Sequence, residues 1–206
     1  MSNPVKQEVV RAKTDAQASD DEELARRFRG GESAAFDGLL HAYQSRIFNL
    51  AYRILNSFED AEETTQEIFV KVHSSIDRFE GRCKFGTWLY AVAVNMCRNR
   101  LRQIRRRSSL EVRSLDVPGD GKPMEASTSD AESAPAQMER AEMLKLVERC
   151  ISELPVEFSS VVVLRDVQGM SYEEVAVALG CSLGTVKSRL ARARHAVREK
   201  LRPHLR

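Results

Sequence analysis

The sequence predicts an all-α protein: two small helical domains joined by a flexible acidic linker, the second domain a helix-turn-helix. Three observations predict it. Apolar residues recur at helical spacing from about Asp20 to Arg107 and again from about residue 138 onward. No stretch alternates with the period of two that a half-buried strand needs. Between the two periodic regions, residues 108–137 hold three prolines, two glycines and many Ser, Asp and Glu, a composition that cannot bury a core.

Residues 1–19 are polar and aperiodic and are expected to be a disordered tail. The first domain, 20–107, opens on a helix that Gly30-Gly31 interrupts. The next helix carries Phe36, Leu39, Leu40, Tyr43, Ile47, Leu50, Ala51, Ile54 and Leu55 on one stripe, and Ile68, Phe69, Val72 and Ile76 turn inward from the one after it. Phe79 to Trp88 reads as a loop feeding the apolar run WLYAVAV, where Trp88 is better placed as core than as a stacking platform. In the second domain, 138–206, Pro155 marks a helix start or break. The run Val161-Val162-Val163-Leu164 is read as buried helix, because its flanks are helical and no partner strand exists.

The end of the chain is the most specific part. Ser171 with Glu174 forms a capping box, Val175, Ala176 and Leu179 supply an apolar face, and Gly180 allows a left-handed exit. Ser182 then caps a second helix with Leu183, Val186, Leu190, Ala193, Val197 and Leu201 at helical spacing. Its other faces carry Lys187, Arg189, Arg192, Arg194, Arg198 and Lys200 against the single acid Glu199. A helical hairpin with a solvated basic face is the plain alternative. Missing acids, and small Thr185 and Ser188 that permit close backbone approach, favour a helix lying in a DNA groove.

Charge is segregated, so the net +2 says little. Arg98 to Arg113 holds seven arginines and one acid, whereas Ser57 to Glu67 holds five acids and no base. Such blocks call for separate partners, phosphates for the basic one and a basic protein surface for the acidic one. The plain reading of the acidic block is a solvated helix start, where acids suit the dipole. No apolar run approaches a membrane span and no signal peptide is evident, so a cytoplasmic protein is expected. Cys83, Cys97, Cys150 and Cys181 are scattered, which predicts reduced, mostly buried thiols and no metal site or cofactor.

Four stretches, in this order, resemble the bacterial RNA polymerase sigma factors of the compact extracytoplasmic-function (ECF) subfamily. They are DAEETTQEIFVKV at 60–72, FEGRCKFGTWLYAVAVNMCRNRLRQIRRR at 79–107, LPVEFSSVVVLRDVQGMSYEEVAVALG at 154–180 and GTVKSRLARAR at 184–194. The resemblance implies docking of Asp60, Glu63, Gln66 and Glu67 on the basic coiled coil of the polymerase clamp, and a contact with the flap. It implies that the loop after Phe79 captures a base flipped from the melted downstream promoter element. Arg82, Lys84, Asn95, Arg98, Asn99 and Arg102 hold that strand in this reading, and Arg105, Arg106 and Arg107 touch backbone nonspecifically. On the last helix, Lys187, Ser188, Ala191 and Arg192 share one face and match positions that read the upstream element. Thr185, Arg189 and Arg194 are backbone-contact candidates there. The partners implied are core RNA polymerase, promoter DNA and an anti-sigma protein, membrane-bound in many relatives, with no small-molecule substrate. A repressor or response regulator would need a receiver or ligand domain, which the first half does not resemble. A nucleic-acid enzyme would need a catalytic constellation or a phosphate-binding glycine loop, and neither is present.

Overall fold

Residues 19–111 and 134–204 are described by a computed structural model. The expected tail over 1–19 lies almost wholly outside the described residues, as does most of the expected linker over 108–137. Helices occupy nearly all the rest. They are α1 over 19–29, α2 (Ser33–Leu55), α3 (Phe58–Ser75) with a 3-10 turn at Ile76–Arg78, α4 (Phe85–Glu111), α5 (Ala134–Ser152), α6 (Val156–Val162), α7 (Tyr172–Leu179) and α8 (Leu183–Leu201). The ends of α4 and α5 thus run a few residues into the segment read as linker.

Local chemistry sets the boundaries. Asn56 ends α2 in the left-handed conformation at φ 55°, and the Ser57 hydroxyl then accepts the Asp60 N–H at 3.2 Å to start α3. Pro155 sits at the N-cap of α6, where its missing N–H costs nothing. Beyond Val162 the helix widens into a π segment, Val163–Val167, in which the Gln168 N–H returns to the Val163 carbonyl at 2.9 Å. Arg165 closes the following turn: its guanidinium donates to the Met170 carbonyl at 2.6 Å and lies 4.8 Å from the centre of the Tyr172 ring.

The N-terminal bundle packs α2 against α3 and α4, and the C-terminal bundle packs α5, α6 and α7 around α8. The predicted stripe of α2 is buried, with Phe36 and Leu40 half-buried at its edge, and the Val161–Leu164 run is fully interior helix. Each aliphatic side chain so enclosed contributes about 1.5–3 kcal/mol. Trp88 is half-buried against this interior, with its ring 5.5 Å from Phe79 and 5.9 Å from Phe85. Cys97 and Cys150 are buried, Cys83 and Cys181 only partly, and all four are free thiols.

Two features were not expected. First, α1 is anchored from below: Tyr43 donates to Asp21 at 2.6 Å, and both are buried. A Cβ at Gly86 would stand 2.6 Å from that Tyr43 hydroxyl, so the start of α4 approaches α2 only because residue 86 is glycine. Second, the two bundles are not merely tethered. Helix α4 packs along α7, and α2 packs against α5 and α6, so a single apolar core runs through both.

Candidate nucleic-acid interface

The helix-turn-helix forms as its sequence dictates. Glu174 N–H meets the Ser171 hydroxyl at 3.1 Å, and Ser171 N–H meets the Glu174 carboxylate at 2.8 Å, completing the capping box. Gly180 turns left-handed at φ 61°, and the Cys181 N–H reaches back to the Ala176 carbonyl at 3.1 Å. Ser182 then accepts the Thr185 N–H at 3.1 Å and starts α8. Val186, Leu190 and Ala193 are buried, which turns Lys187, Ser188, Ala191 and Arg192 outward, all four exposed on one face. Thr185 and Arg189 flank that face half-buried. Arg194 does not join it, because its guanidinium is held by Asp166 at 3.0 Å.

On α4 the predicted set divides. Asn95, Asn99 and Arg102 are exposed along one stripe, and Arg102 donates to the Asn99 side-chain oxygen at 3.1 Å. Arg98 lies on another flank, partly buried, near Glu157 and Arg189 of the C-terminal bundle, and burial pulls its guanidinium below the ordinary value. Arg82 is exposed and pairs with Glu80, while Lys84 pairs with Glu174 of α7 at 3.4 Å. A cavity of about 200 Å³ opens between α1 and this loop, lined by Glu22, Arg26, Arg29, Phe79, Gly81 and Cys83. Sequence reasoning missed the three residues from α1, which it read only as the onset of helical spacing.

On α3, Glu63, Gln66 and Glu67 are exposed and Asp60 is half-buried. The acidic face is not unbalanced as its sequence suggested. Arg100 of α4 donates to Asp60 at 2.8 Å and also pairs with Glu63, and the bond to Asp60 is the main cause raising the Arg100 guanidinium above its ordinary value. Gln66 and Glu67 stay outward beside Val70, a 69% exposed apolar residue one turn further on. Among the described residues, no group of three or more His, Cys, Asp or Glu is placed to hold a metal ion, and no helix is long and apolar enough to cross a membrane.

Comparison with known proteins connects these surfaces. Residues 39–107 match the sigma-70 region 2 family and residues 144–197 match sigma-70 region 4. The RNA polymerase sigma-H factor of Pseudomonas aeruginosa is 35% identical over 190 residues, covering 90% of this chain and 96% of its own. The ECF RNA polymerase sigma-E factor of Escherichia coli (strain K12) is 34% identical over 187 residues, covering 90% and 96%. The chain belongs to the ECF sigma factors of the sigma-70 family. Two solved structures share the fold at 22% identity. CnrH in complex with the cytosolic domain of CnrY has a TM-score of 0.64 over 89% of this chain and 98% of that one. The sigma factor RpoE of Bartonella quintana, in complex with the anti-sigma factor NepR, has a TM-score of 0.63 over 81% and 96%. The sigma factor is therefore a transcription initiation factor that binds core RNA polymerase and promoter DNA. Its region 4 match spans the helix-turn-helix, and its region 2 match spans both α3 and α4.

Proposed function

We propose that this alternative sigma factor reads the upstream promoter element with α8 and the melted downstream element with the loop before α4 and the exposed stripe of α4. The observation that carries this is the outward face of Lys187, Ser188, Ala191 and Arg192, set by the buried Val186 and Leu190 behind a fully capped turn. Lys and Arg there match guanine edges and phosphates, Thr185 and Arg189 flank them toward the backbone, and Ala191 gives clearance.

Downstream, Asn95, Asn99 and Arg102 supply amide and cationic groups to an unstacked strand, with Arg82, Lys84 and Arg98 adding charge. The cavity beside the loop supports base capture: Phe79 offers an aromatic wall, and Glu22 and Arg26 offer an acceptor and a donor for a base edge. Gln66 and Glu67, with Asp60 and Glu63 behind them, meet the basic clamp coiled coil, and the C-terminal bundle meets the flap. Domain limits of 20–107 and 138–206, with tail and linker outside them, belong to the same reading. So do a cytoplasmic location, a non-enzymatic role and restraint by an anti-sigma protein.

Run-off transcription with purified core polymerase on a promoter library is the test. A defined start site dependent on this protein is expected. Failure to bind core polymerase overturns the proposal, and binding to duplex DNA alone points instead to a repressor.

A further inference from the structure

Helix α8 is longer than its base-reading face. The outward set ends at Arg192, yet the helix continues to Leu201, and Arg202 keeps its geometry with an N–H that reaches the Arg198 carbonyl. On a 3.6-residue period Lys187, Ala191, His195, Arg198 and Arg202 form one row, each three or four residues after the last, and all five are exposed. The row lies opposite the buried Val186, Leu190 and Ala193. It holds three cations and an imidazole without an acid. Cations off the row are engaged within the bundle instead, Arg194 by Asp166 and Lys200 by Glu153. Glu199, the single acid of α8, meets Arg202 at 3.6 Å, and 80% of the Arg202 side chain stays in water.

We propose that the second half of α8 grips the DNA backbone: His195, Arg198 and Arg202 hold phosphates at the rim of the groove that the first half enters, adding affinity without sequence preference. The inference rests on the reading of Lys187, Ser188, Ala191 and Arg192 as the groove-facing set. From Lys187 to His195 the helix advances about 12 Å, comparable with the width of the major groove. A helix whose first turns reach base edges therefore carries its later turns past the level of the phosphates. The row runs about 22 Å from Lys187 to Arg202, which sets Arg198 and Arg202 against backbone and away from base edges. A guanidinium fork matches phosphate oxygens, and an imidazole N–H donates to one. Binding a phosphate costs Arg202 only its pairing with Glu199, which is weak because both side chains are at least half in water. The sorting of cations argues against a merely solvated face: those off the row are neutralised inside the bundle, and those on it are left outward.

The test uses the full chain and two short fluorescein-labelled duplexes, one carrying the upstream element of a promoter recovered from the run-off library and one scrambled. Anisotropy reads binding between about 50 and 200 mM salt. Arg198→Gln with Arg202→Gln should weaken both duplexes by the same factor, roughly tenfold, and lower the slope of log affinity against log salt by about two. The preference for one duplex over the other should not change. His195→Ala should weaken both roughly threefold, and Glu199→Gln, which removes the acid beside the row, should tighten both roughly twofold. Circular dichroism checks helix content in each variant. Arg149→Gln removes the same charge from a 79% exposed side chain of α5 off the row and should leave the slope alone. A comparable fall in slope per charge for Arg149→Gln overturns the proposal, because net charge then explains the effect. An unchanged slope for the Arg198 and Arg202 variant also overturns it and leaves the row to an acidic protein partner. A lost preference in that variant overturns it by assigning the two arginines to base edges. Lys187→Ala with Arg192→Ala tests the underlying reading separately: an unchanged preference there refutes the groove-facing set, while the slope of the Arg198 and Arg202 variant still reports whether the second half of α8 touches DNA.

Discussion

The Tyr43 hydroxyl donates to Asp21 at 2.6 Å inside the N-terminal bundle, where Asp21 retains only 1% of its exposure. This bond ties α1 to the middle of α2 and thereby fixes one wall of the cavity beside the loop at 79–84. Burial and the neighbouring carboxylate both push the Tyr43 phenol well above its ordinary value, so it stays protonated as the donor. Tyr43→Phe should lower stability by about 1–3 kcal/mol, because the buried carboxylate loses a donor. Urea unfolding at constant slope measures it, and an unshifted midpoint would show that Asp21 draws its support elsewhere.

Gly86→Ala should cost about 1–3 kcal/mol through overpacking, since the new methyl meets the Tyr43 hydroxyl at 2.6 Å. The two sites are coupled: removing the hydroxyl makes room for the methyl. In a double-mutant cycle, Tyr43→Phe should therefore recover part of the Gly86→Ala loss, and strict additivity would refute the contact.

Lys187→Ala and Arg192→Ala should each weaken selective duplex binding by about 1–3 kcal/mol. Binding should also fall more gently with salt as phosphate contacts are lost. Arg194→Ala should act differently. Its guanidinium is engaged by Asp166, so the expected change is in thermal stability and not in sequence preference. Competition with mismatched duplexes separates these outcomes, and equal selectivity losses at Arg192 and Arg194 would count against the division.

Gln66→Ala with Glu67→Lys should slow association with core polymerase and leave the fold intact, since both side chains are exposed. Asp60→Asn should instead loosen the pairing of α3 with α4 through Arg100. Stopped-flow association against thermal melting distinguishes them; a melting defect in the first variant would mean that its face is structural.

Alkaline pH should destabilise the protein. Burial holds the Cys97 thiol up at about 12 and the Tyr90 phenol up at about 12. The unfolded chain releases these protons first, so the stability is complete below the unfolded values and is lost as pH rises toward the folded ones. For Cys97 the loss begins near the ordinary thiol value of 9.0 and approaches about 1.4 kcal/mol per pH unit. Chemical unfolding across that window should show the slope, and Cys97→Ala should flatten it. An unchanged slope in the variant would exclude Cys97 as its source.

Local rules reached far along this chain. The caps at Ser171, Glu174, Gly180 and Ser182 depend on neighbours within a few residues, and their bonds are formed as the spacing predicted. The outward set on α8 followed from the 3.6-residue period alone. What stayed hidden depended on distant partners. Tyr90 and Gln168 are 78 residues apart, and no periodicity brings them together. Arg100 was counted into a basic block, yet its guanidinium serves an acidic helix 40 residues earlier. The α1 residues of the cavity gave no composition signal, because Glu22, Arg26 and Arg29 read as an ordinary charged helix.

The π segment at Val163–Val167 makes the C-terminal bundle sensitive to length in a way that side-chain exchange does not reveal. It closes α6 with a turn one residue wider than an α turn, directly before Gly169 and the cap of α7. Removing one residue there would shorten this closing turn and change the direction in which the chain leaves α6 for α7. Asp166 would swing away from Arg194, and α7 and α8 would leave the helix at a new angle. Relatives of this protein should thus accept many substitutions in this turn but few insertions or deletions, because here the count of residues, more than their identity, aims the DNA-facing helix.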